Sequence, residues 1–405
     1  MNNLIFNTQL KSKSLTIPHK LGVNKLLNAN VQHCVVVTNF DENQPGYLDF
    51  SYRIQALNNY YHLTIISHQL LKQIELQCNN TKYIVFNQPY GKIGLLSYSW
   101  QAAKYIKKNQ PAIVLLMHSS LAFIPLMLGK QKYALYWNEH PTNLMRLPEH
   151  FSPIKYGVTS VLQKLLFLGA KKAQLVMPIG EEHYQNLLEK GCLPNRTEMI
   201  YMGVADVFTR HAPLEIQHQQ GLKIVYVGTV SQQRGRDVML DAMANIAQDS
   251  IPVHLTIIGA SEAELSYCNS RIKHLGLQAY VVVQGRVTGD QIPQLLAEAD
   301  VGICLWEDKP WWRFNPPTKL FEYLAAGLPV LASDICTHTR YIQHWHNGLI
   351  FDYSVEGLTS ALADLALNQN KIPSLKQQAA IDGEQYLWRH IEPQFLQKIA
   401  DLVRA

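Results

Sequence analysis

Two cations and a carboxylate, set in two short stretches punctuated by glycine and proline, are the residues of this chain best suited to chemistry. Lys319 and Glu322 stand in Asn315-Pro316-Pro317-Thr318-Lys319-Leu320-Phe321-Glu322-Tyr323-Leu324-Ala325-Ala326-Gly327-Leu328-Pro329-Val330. Pro316 and Pro317 can start a helix but cannot continue one. Thr318 is placed to cap that helix, and Leu320, Phe321 and Leu324 form the stripe it would bury. The open N–H groups of a new helix beside a lysine ammonium make an anion site. Glu322, one turn on, is placed to hold a sugar hydroxyl. Diphosphate plus hydroxyl describes a nucleotide-sugar. The second stretch is Gly228-Thr229-Val230-Ser231-Gln232-Gln233-Arg234-Gly235, which follows the apolar run Ile224–Val227. A glycine at a strand end lets a phosphate approach the backbone, and Arg234 can grip two phosphate oxygens at once. Arg236 reads as a surface residue of the helix that follows.

The Lys319 stretch resembles the donor-binding motif of glycosyltransferase family 4, Pro-x-Lys-Leu-x-Glu-Tyr-x-Ala-x-Gly-x-Pro-Val. The resemblance implies the GT-B fold: two Rossmann-like, doubly wound parallel-sheet α/β domains facing a central cleft. It also implies that Gly228, Arg234, Thr318, Lys319, Leu320 and Glu322 bind the donor, with Arg234 and Lys319 on the diphosphate and Glu322 on the ribose. Many family members carry another Glu eight positions before the motif Glu, where this chain has Phe314. At the glycine loop the family pattern is Gly-Arg-x-x-x-x-Lys-Gly; here Thr229 replaces the first cation and Arg234 the second. The family places a strand-end His beside the transferred sugar. His140, in Tyr136-Trp137-Asn138-Glu139-His140, is the candidate, with Glu139 and His118 as competitors. His140, Arg234 and Lys319 are therefore the expected catalytic group. Gly46, in the loop after the first strand, and the loop residues Trp311 and Trp312 are candidate acceptor or sugar contacts. Each also has a structural reading, as a turn or as packing beneath a long loop. The junction Met202-Gly203-Val204-Ala205-Asp206 resembles the family's interdomain segment.

The elements that must position these residues alternate. Strands are expected at Cys34–Thr38, Leu63–Ile66, Tyr83–Phe86, Ile113–Leu116, Tyr133–Tyr136 and Gln174–Met177, with helical patterns between most of them. A second alternation has strands at Ile224–Val227, His254–Ile258, Val281–Val283, Val301–Cys304 and Val330–Ser333. The pattern argues for two parallel sheets with helices on both faces. Residues 1–30 read as an irregular lead-in, 1–205 as the N-terminal acceptor domain, 206–221 as a linker and 222–383 as the donor domain. Residues 384–405 read as a helix broken at Pro393 whose apolar stripe returns to the N-terminal domain.

At 405 residues the chain is too long for one compact core. No apolar run approaches the roughly 20 residues of a membrane helix. The six cysteines lack Cys-x-x-Cys spacing and read as buried free thiols of a reducing cytosol. Residues 1–205 carry 20 Lys and Arg against 10 Asp and Glu, a balance of +10, whereas 206–405 carry 16 against 21, a balance of −5. The basic half points to an anionic partner, a phospholipid surface, a lipid-linked phosphate or an acidic glycan, or else to a solvated face. The basic-apolar stretch Ile154 to Lys172 reads first as a sheet-covering helix and second as an interfacial one.

No Asp-x-Asp motif or metal-ligand cluster is visible, so no metal and no cofactor beyond the donor co-substrate are expected, and no nucleic-acid partner. The resemblance to family 4, together with the cysteine reading and the lack of a metal motif, implies a cytoplasmic, metal-independent, retaining hexosyltransferase of cell-surface polysaccharide synthesis. Its acceptor would be a glycan or a lipid-linked glycan at the inner membrane face. A GT-B sugar-nucleotide 2-epimerase and a non-catalytic nucleotide-sugar-binding module are the alternatives. A dinucleotide oxidoreductase is disfavoured because neither half has Gly-x-Gly-x-x-Gly after its first strand.

Overall fold

The computed structural model describes residues 32–42, 44, 46–78, 81–87, 91–129, 131–147, 152–209 and 221–404. The expected lead-in, and residues 210–220 of the expected linker, lie outside them. Among the described residues, twelve strands form two six-stranded sheets. The N-terminal sheet holds β1 (His33–Val37), β2 (His62–Ser67), β3 (Lys82–Val85), β4 (Ile113–Leu116), β5 (Tyr133–Trp137) and β6 (Leu175–Pro178), in the order β3-β2-β1-β4-β5-β6. The C-terminal sheet holds β7 (Leu222–Val227), β8 (Val253–Ala260), β9 (Val281–Gly285), β10 (Val301–Cys304), β11 (Val330–Ser333) and β12 (Gly348–Phe351), in the order β12-β11-β10-β7-β8-β9. Every pairing is parallel.

Each sheet is thus doubly wound, reversing direction between β1 and β4 and between β7 and β10. Central strands buried on both faces explain the continuous apolar runs: Cys34–Val37, Ile113–Leu116 and Val301–Cys304 are fully or nearly fully buried. A doubly wound sheet binds ligands outside the carboxyl ends of the strands at the reversal. The residues after β1, β4, β7 and β10 are therefore the ones topology places at a binding crevice, and they include Gly46, His118, Gly228 and the loop after Cys304.

The closing helix, Trp388–Arg404, is continuous, with Pro393 inside it, which corrects the expected break. Pro393 lies in the second turn, and the helix buries Ile391, Phe395, Ile399 and Leu402. It packs on the helix Tyr47–Asn58: Tyr52 and Trp388 have ring centroids 5.8 Å apart, and the Lys132 ammonium reaches the Val403 carbonyl at 3.4 Å. Val204 and Leu387 pair in a parallel bridge where the chain crosses between the sheets.

Beneath this crossing lies a buried ion pair. Arg53 donates Nε–H to Asp49 at 2.9 Å, with both side chains almost wholly buried. Asp49 also accepts from the Tyr136 hydroxyl at 2.5 Å and from Gly203 N–H at 2.8 Å. Arg53 Nη2 donates to the Tyr201 carbonyl at 2.7 Å, and the guanidinium lies over the rings of Tyr136 and Phe395. Removing one partner of a buried pair leaves an uncompensated charge, at a cost of about 3–5 kcal/mol. Asp49→Ala is accordingly expected to lower the thermal unfolding midpoint followed by circular dichroism. Asp49→Asn, which keeps an acceptor oxygen, is expected to lower it less.

Candidate active site

The glycine after β7 and the helix Thr318–Ala325 meet. Gly228 has φ 134°, a backbone conformation that strains any residue with a Cβ, and the Lys319 ammonium lies against it, 2.9 Å from where a Cβ would stand. Lys319 Nζ stands 3.6 Å from the centroid of the Tyr226 ring on β7. Tyr323, one turn along the helix, accepts from Val227 N–H at 2.8 Å, which fastens the helix to the end of β7. Pro317 is the N-terminal cap residue and Thr318 the first helical one, so Thr318 does not cap. Leu320 is fully buried and its N–H bonds the Pro317 carbonyl at 3.1 Å. That removes Leu320 from the set facing a ligand. Among the described residues no partner is seen for the Thr318 and Lys319 N–H groups, which remain open donors at a helix N-terminus.

Arg234 lies in a 3-10 turn, Gln232–Arg234, after β7. Its guanidinium carbon sits 4.6 Å from the Trp306 centroid and 4.1 Å from that of Trp312. Burial lowers its pKa from the ordinary arginine value, yet arginine stays charged. Lys319 and Arg234 both act on the buried Cys304 thiol and the His338 ring, so their fields converge after β10. Neither cation has an ion-pair partner among the described residues. Arg236, in contrast, is paired with Asp237 and Glu264, which fixes it to its own domain.

Several candidates from the N-terminal half have structural duties. His140 caps the short helix Pro141–Leu144, its Nδ1 accepting from Thr142 N–H at 3.3 Å. That assigns the proton to Nε2, which donates to Asn186 Oδ1 at 3.1 Å. The ring is stacked on Phe314 with centroids 3.6 Å apart, and burial pushes its pKa down to about 4. With both nitrogens hydrogen-bonded and one face stacked, His140 is a packed, neutral residue in this structure. Glu139 is also engaged: its carboxylate accepts from the side-chain amides of Asn143 and Asn315. Burial raises its pKa, with Arg234 and Arg146 opposing. Asn315 Oδ1 in turn accepts from His140 N–H at 3.0 Å, so one amide ties the donor loop to the N-terminal domain.

His118 is placed differently. Its Nδ1 accepts from Ser120 N–H at 3.2 Å at the end of β4, which leaves the proton on Nε2, and no partner for Nε2 is seen among the described residues. Burial holds His118 neutral, with a pKa of about 4. Gly46, φ 86°, is the cap residue of the helix Tyr47–Asn58, a turn position that favours glycine. Trp311 and Trp312 serve the arginines: Arg146 lies 5.1 and 5.5 Å from their centroids, and Trp312 is buried. Of the two readings open for these rings, a sugar contact or packing beneath the loop, the structure shows cation–π packing. Sequence reasoning missed Arg146 and Asn315. The second adjoins Pro316 in the motif itself, but its partner Glu139 lies 176 positions away.

Glu322 is half-buried on the same helix as Lys319, and no hydrogen-bond partner for its carboxyl is seen among the described residues. Its field reaches Tyr52 of the N-terminal domain.

Residues 213–382 match the family model of the glycosyl transferases group 1. Over 174 residues the chain is 26% identical to spore coat protein SA of Bacillus subtilis (strain 168), covering 38% of this chain and 45% of that one. Over 195 residues it is 25% identical to the amylovoran biosynthesis glycosyltransferase AmsK of Erwinia amylovora, covering 48% and 47%. The chain spans just under half the length of these curated relatives. The fold is similar over nearly the whole length to Anabaena Alr3699/HepE in complex with UDP-glucose, with TM-score 0.69, 16% identity, and 91% of this chain and 100% of that one covered. It is also similar to sucrose-phosphate synthase of Thermosynechococcus elongatus, with TM-score 0.71, 12% identity, and 92% and 99% covered. The architecture is GT-B: two doubly wound parallel sheets, six strands each.

Burial pushes the Glu322 carboxyl up to about 7 from its ordinary 4.5, against the pull of Lys319. A folded pKa above the unfolded one means that the native state holds the proton more tightly. The stabilisation is full below pH 4.5 and is lost as pH rises to about 7. Glu322→Gln is therefore expected to flatten the fall in thermal midpoint across that window. A variant with the wild-type pH slope would show that Glu322 titrates normally.

Proposed function

We propose that the chain is a glycosyltransferase that moves a sugar from a nucleoside-diphosphate sugar to an acceptor hydroxyl. The carrying observation is the seating of Lys319 between Gly228 and the Tyr226 ring and of Arg234 on the Trp306 and Trp312 rings, both cations acting on Cys304 and His338 and neither paired with a carboxylate among the described residues. Cations held by aromatic faces keep their N–H groups for a phosphate. The group 1 family match over 213–382 and the UDP-glucose complex of the similar HepE structure support a nucleotide-sugar donor.

In the reaction the bond between the anomeric carbon and the diphosphate oxygen breaks, and a bond to the acceptor oxygen forms. Arg234 and Lys319 neutralise the departing diphosphate. Glu322 holds the ribose. The acceptor proton passes to the leaving diphosphate, in keeping with retention of configuration and a family 4 assignment. His118, at the end of β4 with Nε2–H free among the described residues, replaces His140 as the histidine offered to the sugar. The acceptor is a glycan or lipid-linked glycan of cell-surface polysaccharide synthesis, a hexose is the group moved, and the chemistry is metal-independent.

A second reading, a non-catalytic nucleotide-sugar-binding module, is favoured by one observation: Phe314, where many relatives of the motif carry Glu, is stacked against His140 and offers no hydrogen bond. A thermal-shift panel of nucleoside diphosphates tests the site. One base is expected to stabilise the protein, and Lys319→Ala or Arg234→Ala to weaken it about 10- to 100-fold, as expected for a lost charged hydrogen bond of ~1.5–3 kcal/mol. Binding without turnover by the wild-type protein against glycan acceptors would decide for the module. Undiminished binding by Lys319→Ala would end both readings.

A further inference from the structure

The helices Gly91–Asn109 and Pro153–Lys172 cover one face of the N-terminal sheet, the face that carries Val35 and Val37. Lys92 Nζ donates to Thr159 Oγ1 at 2.7 Å, which joins their N-terminal ends. Each helix contains four lysines and no Asp or Glu, and all eight lysines are exposed. Across residues 91–180 there are 11 Lys and Arg and only two acids, Glu139 and Glu149, the first of them tied up in the cleft.

The outward sides are also apolar. Pro153–Lys172 buries one stripe, with Leu162 and Leu166, and exposes a second, Ile154, Val158, Val161 and Leu168. That spacing, i, i+4, i+7 and i+14, keeps the second stripe along one line of the helix. Ile154 is 80% exposed. On the neighbouring helix Ile93 is 83% exposed and Trp100, seven positions on, 58%, with the Lys104 ammonium 5.4 Å from its ring. A sheet-covering helix needs only its buried stripe. A second apolar stripe in a field of lysines that have no ion-pair partner among the described residues fits a surface that is apolar within and anionic at its rim.

We infer that the outer side of these two helices is a docking face for an anionic lipid bilayer. Ile93, Trp100, Ile154 and Val161 enter the headgroup–acyl boundary while the lysines meet lipid phosphates. The inference goes beyond the reading of the cleft and stands independently of it. It requires no spanning segment; among the described residues no helix is long and apolar enough to cross a membrane.

The test is co-sedimentation of the full chain with vesicles of phosphatidylcholine alone or of phosphatidylcholine with phosphatidylglycerol. Binding is expected only to the mixed vesicles and is expected to fall as salt is raised. Ile154→Asp with Val161→Asp, and separately Lys104→Gln with Lys107→Gln and Lys108→Gln, should each lower partitioning on the order of tenfold. Both variants should keep the wild-type thermal midpoint and nucleoside-diphosphate binding, because every substituted position is exposed and outside the cleft. Equal pelleting with neutral vesicles, or wild-type partitioning by both variants, would overturn the inference. So would a dimer in solution that Ile154→Asp with Val161→Asp dissolves, since it would assign the face to a second copy of the chain.

Discussion

Asp49 is where the separate parts of the chain are tied together. Its carboxylate accepts from Arg53 on its own helix, from Tyr136 on β5 and from Gly203 where the chain crosses between sheets. Burying a charge pair carries a heavy desolvation cost, and the remaining lone pairs must be met by well-placed donors. Here they are, and each donor comes from a different element, so the geometry specifies one arrangement. Arg53 extends the tie to the Tyr201 carbonyl and to Phe395 of the closing helix. Beside Tyr201 lies the ring of Tyr386, 5.0 Å between centroids, and beside Tyr386 that of Phe321, 4.4 Å away. Phe321 is the buried side of the helix whose other side carries Lys319 and Glu322. A continuous packed path therefore runs from the interdomain hub to the cations of the cleft.

The cleft uses aromatic faces where a carboxylate would be the ordinary partner of a cation. Tyr226 holds Lys319, and Trp306 and Trp312 hold Arg234. A carboxylate in either place would compete with a diphosphate for the same N–H groups, whereas a ring orients the cation through its face and leaves those groups free. The nearby histidines add no charge: burial holds His118 and His140 near pKa 4 and His338 near 3. The positive field at the site is thus set by Arg234, Lys319 and Arg146, and the group that titrates within it near neutral pH is the Glu322 carboxyl.

Eleven of the twelve strands are legible in the sequence because buried parallel strands are short unbroken apolar runs bounded by polar turns. The one not read, β12, is the edge strand Gly348–Phe351, which opens on a glycine. The helix Trp388–Arg404 was misread at Pro393, whose local rule tertiary packing overrides. At the site the legible residues are those whose role is local: Gly228 must be glycine at its φ, and Lys319 must begin a helix. His140 and Trp312 looked available because what occupies them is remote in sequence. Asn186 and Phe314 take His140, and Arg146 takes a ring of the tryptophan loop. Spacing shows which residue types lie at a strand end; only packing shows which of their atoms are already spent.

The contacts that bridge the two domains are of two kinds, and their energies rank differently. Around Asp49 they are buried and charged, where loss of one partner costs about 3–5 kcal/mol. At the mouth they are polar or stacked: Asn315 on Glu139 and His140, Phe314 on His140, and the Arg340–Glu182 pair at 2.8 Å. The last is largely exposed, and such pairs contribute about 0–1 kcal/mol. An aromatic stack adds about 0.5–1.5 kcal/mol beyond its buried area. The mouth is therefore the weaker seam. If the proposed donor binds here, its diphosphate meets Arg234 and Lys319 on the C-terminal side, and its sugar meets Phe314 and Asn315 only where it must pass between the domains. The hub can stay intact while those side chains part, because no hub residue contributes to the mouth. What position 314 lacks, relative to a carboxylate, is a hydrogen-bond acceptor for that sugar. What it supplies is a flat apolar face that, in the closed arrangement, keeps His140 dry and neutral.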